Sequence, residues 1–367
     1  MPFASIPEAL EDFRAGKMLV VVDDEDRENE GDLTIAAEAT TPEAINFMTM
    51  HGRGLVCLAL NPERCDELEL PLMSANNTSN YGTAFCEAID ARHGVTTGIS
   101  AADRALTIRV AMDPATHPRD LSRPGHMFPL RAREGGVLVR AGQTEAAVDL
   151  ARMAGLRPGG VICEIMNDDG TMARVPELAT FCSRHNLKMI SVASLIRYRL
   201  QTERIVKRIA EGTVKTPHGQ FATFLYGSSV DSEQHMAVVH GDVGGREDVL
   251  VRMHSRCVYG DVLQSSECDC GRMLRGALSR IAGEGRGVLV YLHHTGSGIG
   301  ASEGRLTPHS PQEGHRPLQH EVGVGAQILA DLGLHRIRLL TNHPRRIVAL
   351  EGFGIEISRL EPVELAE

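Results

Sequence analysis

The chain has 367 residues, 42% of them apolar and 4% aromatic, and a formal net charge of −10. That length predicts two domains, and the acidic balance argues against a nucleic-acid or acidic-membrane partner while leaving room for a small anion held by local arginines. MPFASIPEALEDFRAG lacks a basic n-region, and no run approaches the roughly 18 apolar residues of a membrane helix, so the expectation is a cytoplasmic protein.

In chain order, Ser5 to Glu8 has capping-box spacing with an early proline and predicts a helix closed by Gly16. MLVVV (18–22) reads as a buried β-branched strand, and DDEDRENEGDL (23–33) packs seven carboxylates and one arginine behind it. LTIAAEA (33–39) reads as a strand, Thr41 opens a helix ending near His51, and GLVCLAL (54–60) is again a strand. VICEIM (161–166), a helix from Pro176 to Asn186 and LKMISV (187–192) continue the mixture. SLIRYRLQTERIVKRIAEG (194–212) predicts one long charged helix, with Leu195, Ile196, Leu200, Ile205 and Ile209 at near-helical spacing. FATFLYG, HMAVVHG, DVLVRMHS, GVLVYLH, RIRLLT and IEISRL predict strands beyond it. The whole is expected to be α+β, two layered α/β domains over 1–205 and 206–367.

In the acidic stretch, an extended backbone puts Glu28, Glu30 and Asp32 on one face. Crowded carboxylates repel unless a divalent cation gathers them, and oxygen ligands suit Mg²⁺. Arg27 can hold a phosphate. The bland alternative is a solvated loop, and Asp23 to Asp26 are expected to be a solvated lead-in. VTTGISAADR (95–104) has the look of a phosphate-binding turn, and RAGQTEAAV (140–148) predicts Thr144 as the N-cap of a helix whose free N–H groups meet an anion. Glu164 inside an apolar strand is expensive unless paired, which suits an acid/base role. Each has a plainer reading: His126 a satisfied loop histidine, Arg140 a surface salt bridge, Glu164 on a solvent face. Cys57, Cys65, Cys86, Cys163 and Cys182 are scattered as reduced core residues would be. Cys257, Cys268 and Cys270 form C-x₁₀-C-x-C, able to hold one Zn²⁺ with an open position, or else three reduced thiols.

Together DDEDRENEGDL, NTSNYGTAF, GVTTGISAADR, SRPGHMFPLRAREGGVLVRAGQTEAAVDL and GVICEIMNDDGTMAR resemble 3,4-dihydroxy-2-butanone 4-phosphate synthase over residues 5 to 200. The resemblance implies conversion of D-ribulose 5-phosphate to L-3,4-dihydroxy-2-butanone 4-phosphate and formate in riboflavin biosynthesis, with Mg²⁺ or Mn²⁺, by a homodimer whose sites draw on both subunits. It implies that Glu28 ligates metal and that Arg27, Glu28, Asp32, Glu164 and the segment Arg140, Ala141, Gly142, Gln143, Thr144 meet the substrate and its phosphate. His126, Glu164 and Asp32 are the implied catalytic residues. Where many members have histidine as second metal ligand this chain has Gln143, whose amide oxygen can still ligate Mg²⁺.

The second half resembles GTP cyclohydrolase II over about residues 205 to 360, through VRMHSRCVYGDVLQSSECDCGRML, GVLVYLHHTGSGIG, GAQILADLGL and RIRLLTNHPRRI. That family works through zinc-bound water. The usual HSEC is His254, Ser255, Arg256, Cys257, and the GTP-contacting Glu-Gly-Arg is Thr295, Gly296, Ser297. The base and nucleophile positions are Leu318 and His320, and the family's later lysine is Arg346 or absent. Losing both groups should remove most of the catalysis. The expectation is a single-activity synthase with an inactive second domain of structural or regulatory use. The alternatives are a bifunctional enzyme that also opens GTP, and a scaffold with both sites decayed.

Overall fold

A computed structural model of the chain describes residues 3–24, 27–79, 81–230, 233–293, 299–302, 305–308, 316–342, 350 and 354–364, with 299–308 and 316–321 described in backbone only. Two compact units divide at Ile196/Arg197. The first begins with α1 (Ile6–Arg14), whose capping box between Ser5 and Glu8 is formed as the spacing requires. It continues through β1 (Leu19–Val22), β2 (Gly31–Ala36), α2 (Pro42–Phe47), β3 (Cys57–Leu60), α3 (Pro62–Glu67), β4 (Ile89–Ala91), α4 (Ala101–Met112) and β5 (Leu121–Arg131). After these come α5 (Gln143–Met153), β6 (Gly159–Glu164), α6 (Val175–His185), β7 (Lys188–Ser191) and the start of α7 (Val192–Thr202), whose residues from Arg197 onward belong to the second unit.

The strands form one mixed sheet in the order β4-β5-β3-β6-β2-β1-β7. Strand alternation sends Val20, Val22, Leu33, Ile35, Leu58, Leu60, Val161 and Cys163 into one core with Ile45, Ile108 and Leu178. Cys57, Ala59 and Ile162 face the other way, onto Ala147 and Val148 of α5. Both faces are therefore covered, which is why β1, β2 and β3 are buried along their whole length. The scattered cysteines are buried and unpaired. Burial, then the neighbouring Glu164 and Asp32 carboxylates, push the Cys163 thiol up to about 12.

The second unit holds β8 (Val206–Thr216), β9 (Gly219–Ser228), β10 (Gln234–His240), β11 (Val249–Ser255), α8 (Cys270–Glu284), β12 (Gly287–Leu292), the hairpin β13 (Ile299–Ser302) and β14 (Arg305–Pro308), α9 (Arg316–Asp331), β15 (Arg336–Leu340) and β16 (Glu356–Glu361). Its main sheet runs β16-β15-β11-β12-β10-β9-β8. The single long helix expected over 194–212 is corrected: it stops at Thr202, and the rest is β8, paired with β9 from Val206↔Ser228 to Thr216↔Gly219. Ile205 and Ile209 mimic helical spacing, but Ile205 lies before β8 and gives its N–H to Gln327, and Ile209 falls at the bulge in the β8–β9 pairing, 49% exposed. Gln327 of α9 secures the turn between α7 and β8, accepting from the Ile205 and Val206 N–H groups and donating to the Leu200 and Glu203 carbonyls. Among the described residues no helix is long and apolar enough to cross a membrane.

Candidate active site and thiolate centre

The acidic stretch is a tight turn, not an extended segment. Arg27 and Asn29 both donate their N–H to the Asp24 carbonyl, and Asn29 takes a left-handed φ of 53°, which asparagine tolerates. The shared face expected from alternation therefore exists only from Gly31 onward. The carboxylates converge anyway, through register: β2 pairs with β6 so that Asp32 lies directly opposite Glu164. Directly opposed side chains in such a pair sit about 5 Å apart, and like charges there repel.

Asp32 is buried, and that burial raises its affinity for a proton well above the usual carboxylate range; Glu164, Glu28, Asp23 and Glu30 add to the effect. Burial, then Glu28, raise Glu30 likewise. Glu164 accepts the Leu55 N–H at 2.8 Å, and a Cβ on Gly54 would meet its Oε2 at 2.4 Å, so only glycine admits the carboxylate there.

One expectation is overturned here. Asp23 is no solvated lead-in: its side chain is fully buried, accepting from Arg27 Nη1 at 2.7 Å and from the N–H groups of Glu28 and Glu30. A hydrogen-bonded carboxylate with an adjacent guanidinium is stable where a lone one is not. Glu25 and Asp26 lie outside the described residues. Arg27 Nη1 also reaches Glu28 Oε2 at 2.6 Å and Gln143 Oε1 at 2.8 Å, so both expected metal ligands stand around one cationic nitrogen.

The segment 140–144 is held from below. Glu145 accepts Arg140 Nη1 at 2.6 Å and the Arg133 N–H at 3.0 Å, and Asp149 accepts the Val137 N–H. Arg140 reaches the Tyr81 carbonyl and Thr83 Oγ1 with its other nitrogens. Gly142, not Thr144, is the N-cap of α5; a Cβ there would meet Arg140 Nη1 at 2.5 Å, and Thr144 is left in the first turn. Ala141 sits between Arg140 and this cap. In the turn at 95–104, Asp103 accepts Thr96 N, Thr96 Oγ1 and Gly98 N, and Ser100 caps α4.

His126 pairs with Asp90, which accepts from its backbone N–H at 3.0 Å and lies 2.7 Å from Nδ1. The ring is fixed, its side chain 43% exposed. It stands on β5, two strands from Glu164 on β6, which is about 10 Å in sheet spacing. Within the chain it is therefore apart from the carboxylate group. Three participants escaped sequence reasoning: Asp90; Arg174, whose Nη1 donates to the Glu28 and Asn29 carbonyls; and Tyr81, whose hydroxyl donates to the Arg27 carbonyl at 2.7 Å.

In the second unit Cys257 follows β11 and Cys270 begins α8, as the spacing suggests. The Sγ atoms of Cys257, Cys268 and Cys270 all lie within 4.8 Å of one another, and Cys257 and Cys268 are 3.8 Å apart. Tetrahedral Zn–S bonds of about 2.3 Å imply S···S edges of about 3.8 Å, so the thiols fit a metal. Asp261 accepts the Cys257 N–H, lies 3.0 Å from His254 Nε2 and accepts the Tyr291 hydroxyl, fixing the loop. Thr295, Gly296, Ser297 and Arg346 lie outside the described residues, and Leu318 and His320 are described in backbone only, in α9.

The family model for 3,4-dihydroxy-2-butanone 4-phosphate synthase matches residues 7–198. The chain belongs to that family. The model for GTP cyclohydrolase II matches residues 207–362. A riboflavin biosynthesis protein RibBA of Aquifex aeolicus (strain VF5) is 53% identical, over 99% of this chain and 93% of its own length. A "bifunctional riboflavin biosynthesis protein RIBA 1, chloroplastic" of Arabidopsis thaliana is 48% identical over 97% of this chain and 68% of its own length. Among solved structures, RibBX of A. baumannii, described as a two-domain 3,4-dihydroxy-2-butanone 4-phosphate synthase, superposes with a TM-score of 0.84 at 41% identity, covering 99% of this chain and 100% of that one. A synthase in complex with two magnesium ions aligns at 44% identity over 55% of this chain and 98% of its own, with a TM-score of 0.53. The chain is thus a riboflavin-biosynthesis synthase with a GTP cyclohydrolase II-like second unit.

The raised proton affinities of Asp32 and Glu30 predict a pH dependence. The folded chain binds these protons more tightly than the unfolded one, so in EDTA their contribution is complete below about pH 4, the unfolded carboxylate pKa, and is lost as pH rises through the raised folded value. Thermal melting in EDTA should therefore rise as pH falls from 8 toward 5, and saturating Mg²⁺ should flatten that slope by substituting for the proton. Parallel slopes with and without Mg²⁺ would contradict it.

Proposed function

We propose that the chain converts D-ribulose 5-phosphate to 3,4-dihydroxy-2-butanone 4-phosphate and formate at the site around Asp32 and Glu164, and that its second unit does not open GTP. The single observation that carries the first part is the opposed Asp32–Glu164 pair inside a ring of carboxylates. A ketose phosphate must lose a proton beside its carbonyl, and that needs a base and an acid side by side. Glu164, held by the Leu55 N–H, is the base; Asp32, with its raised proton affinity, is the acid. Arg140 and the first-turn N–H groups of α5 beside Thr144 take the phosphate. A divalent cation on Glu28 and Gln143 would supply positive charge beside the substrate oxygens as the carbonyl becomes negative. The all-oxygen donor set suits Mg²⁺, and the crowding that raises Asp32 and Glu30 is relieved by a cation. His126, oriented by Asp90, serves later proton transfers. Because it stands apart from the carboxylates in its own chain, a second copy completes the site, making the working form a homodimer.

For the second unit, Cys257, Cys268 and Cys270 would hold Zn²⁺, with the Asp261 contact orienting Cys257. What supports this reading is the sequence set against that family: Arg256 reverses the usual charge, and the resemblance puts Leu318 and His320 where the family has its base and nucleophile. The relative named as bifunctional supports the opposite reading, and the two-domain synthase RibBX supports this one. Two assays on the full chain decide. Formate release from ribulose 5-phosphate should vanish in EDTA and return with Mg²⁺. GTP with added Zn²⁺ should give no diaminopyrimidine phosphate. Absence of formate with Mg²⁺ or Mn²⁺ would refute the first claim, and robust GTP turnover the second.

A further inference from the structure

Arg27 Nη1 touches three oxygens at once: Asp23 Oδ2 at 2.7 Å, Glu28 Oε2 at 2.6 Å and Gln143 Oε1 at 2.8 Å. The guanidinium side chain is 3% exposed and the Asp23 side chain fully buried, while Glu28 is 24% exposed and so marks the side from which an ion can enter. Two of the three belong to Glu28 and Gln143, the residues assigned above to the metal. A divalent ion binds such oxygens at about 2.0–2.1 Å, so it would take the place beside them that Nη1 fills, and two cations that close repel strongly in a buried setting. We propose that Arg27 is a resident counter-cation which the divalent metal displaces from Glu28 and Gln143, freeing its guanidinium for the substrate's phosphate. This rests on the metal reading above and deepens it.

The surroundings allow the exchange without dismantling the loop. The Arg27 backbone stays tied, its carbonyl accepting the Tyr81 hydroxyl and its N–H bonded to the Asp24 carbonyl. Arg174 independently grips the Glu28 and Asn29 carbonyls. Only the side chain needs to turn. The Tyr81 ring lies 5.3 Å from the guanidinium and gives it an aromatic face to rest on. The Tyr81 carbonyl already holds Arg140. A turn toward Tyr81 therefore brings Arg27 to the loop where Arg140 waits, and two guanidiniums beside the α5 N-terminus form a stronger anion site than one. Metal and phosphate would then bind with positive coupling, each favouring the same position of Arg27. Without metal the arginine neutralises the carboxylates; with metal it is spare.

The test is Mn²⁺ binding to the full chain, read from the electron paramagnetic resonance signal of free Mn²⁺, with no turnover involved. Arg27→Gln removes the competitor and is expected to bind Mn²⁺ about 10-fold more tightly than wild type, although Arg27 is needed for substrate. Equal or weaker Mn²⁺ binding by a variant that melts cooperatively would overturn the proposal, because it would make Arg27 a support of the metal site. Should Arg27→Gln not fold, Tyr81→Trp provides an independent measurement, since the chain has no tryptophan of its own. Its emission should change saturably with Mg²⁺ as the cation over the ring shifts; no change at a Mg²⁺ concentration that displaces bound Mn²⁺ would overturn the exchange. Wild type that binds no Mn²⁺, or binding unaltered by Glu28→Gln, would instead overturn the metal reading beneath it.

Discussion

Glu164→Gln is expected to lower kcat for formate release by roughly 10²–10⁴-fold, the usual worth of a positioned general base. The amide keeps the shape and can still accept the Leu55 N–H, which the carboxylate holds at 2.8 Å. It cannot take a proton from carbon. It also removes the strongest charged neighbour of Asp32, so the proton affinity of Asp32 should fall in part, burial, the larger cause, remaining. The substitution should therefore stabilise the metal-free fold while disabling it, a divergence that separates a catalytic carboxylate from a structural one. Steady-state kinetics with melting curves at neutral pH in EDTA would show it. A variant that is both unstable and inactive would point to a scaffold role.

Asp23→Ala should act the other way, through stability. It deletes a fully buried acceptor of the 3%-exposed Arg27 side chain and strands the Glu28 and Glu30 N–H groups. Breaking a buried pair from one side typically costs about 3–5 kcal/mol. Relief of repulsion on Asp32 offsets part of that, but Asp23 ranks behind Glu164 and Glu28 there, so the loss dominates. For a unit of this size, about 3 kcal/mol corresponds to a melting drop on the order of 10 °C. Scanning calorimetry should show it in the first unit's transition, and a shift below about 2 °C would mean that Arg27 finds adequate partners without Asp23.

Much of the fold was legible because its signals are local. The Ser5–Glu8 box, the VVV run of β1, and Asn186 closing α6 in the left-handed region all act within a few residues. The passage from α7 to β8 was not, because residues 206–216 become a strand only when β9, a separate segment, pairs with them. The site divides in the same way. Glu28, Asp32, His126, Arg140, Gln143 and Glu164 could be named because the motifs carrying them resemble one family closely. Asp90, Tyr81 and Arg174 could not, since their partners lie 36, 54 and 146 residues away. Asp23 was misjudged because seven carboxylates in one run look alike until one of them is buried.

By itself the sequence determined the order of elements, the residues able to do acid, base and ligand chemistry, and the three cysteines able to gather a metal. Tertiary structure decided which of those groups meet. The β2–β6 register sets Asp32 against Glu164, the α5 cap brings Gln143 to Arg27, and sheet order keeps His126 away from both. The physical reason is that Coulomb and hydrogen-bond energies depend on separation and burial. Neither can be counted along a chain; both follow from how strands pair and what covers them.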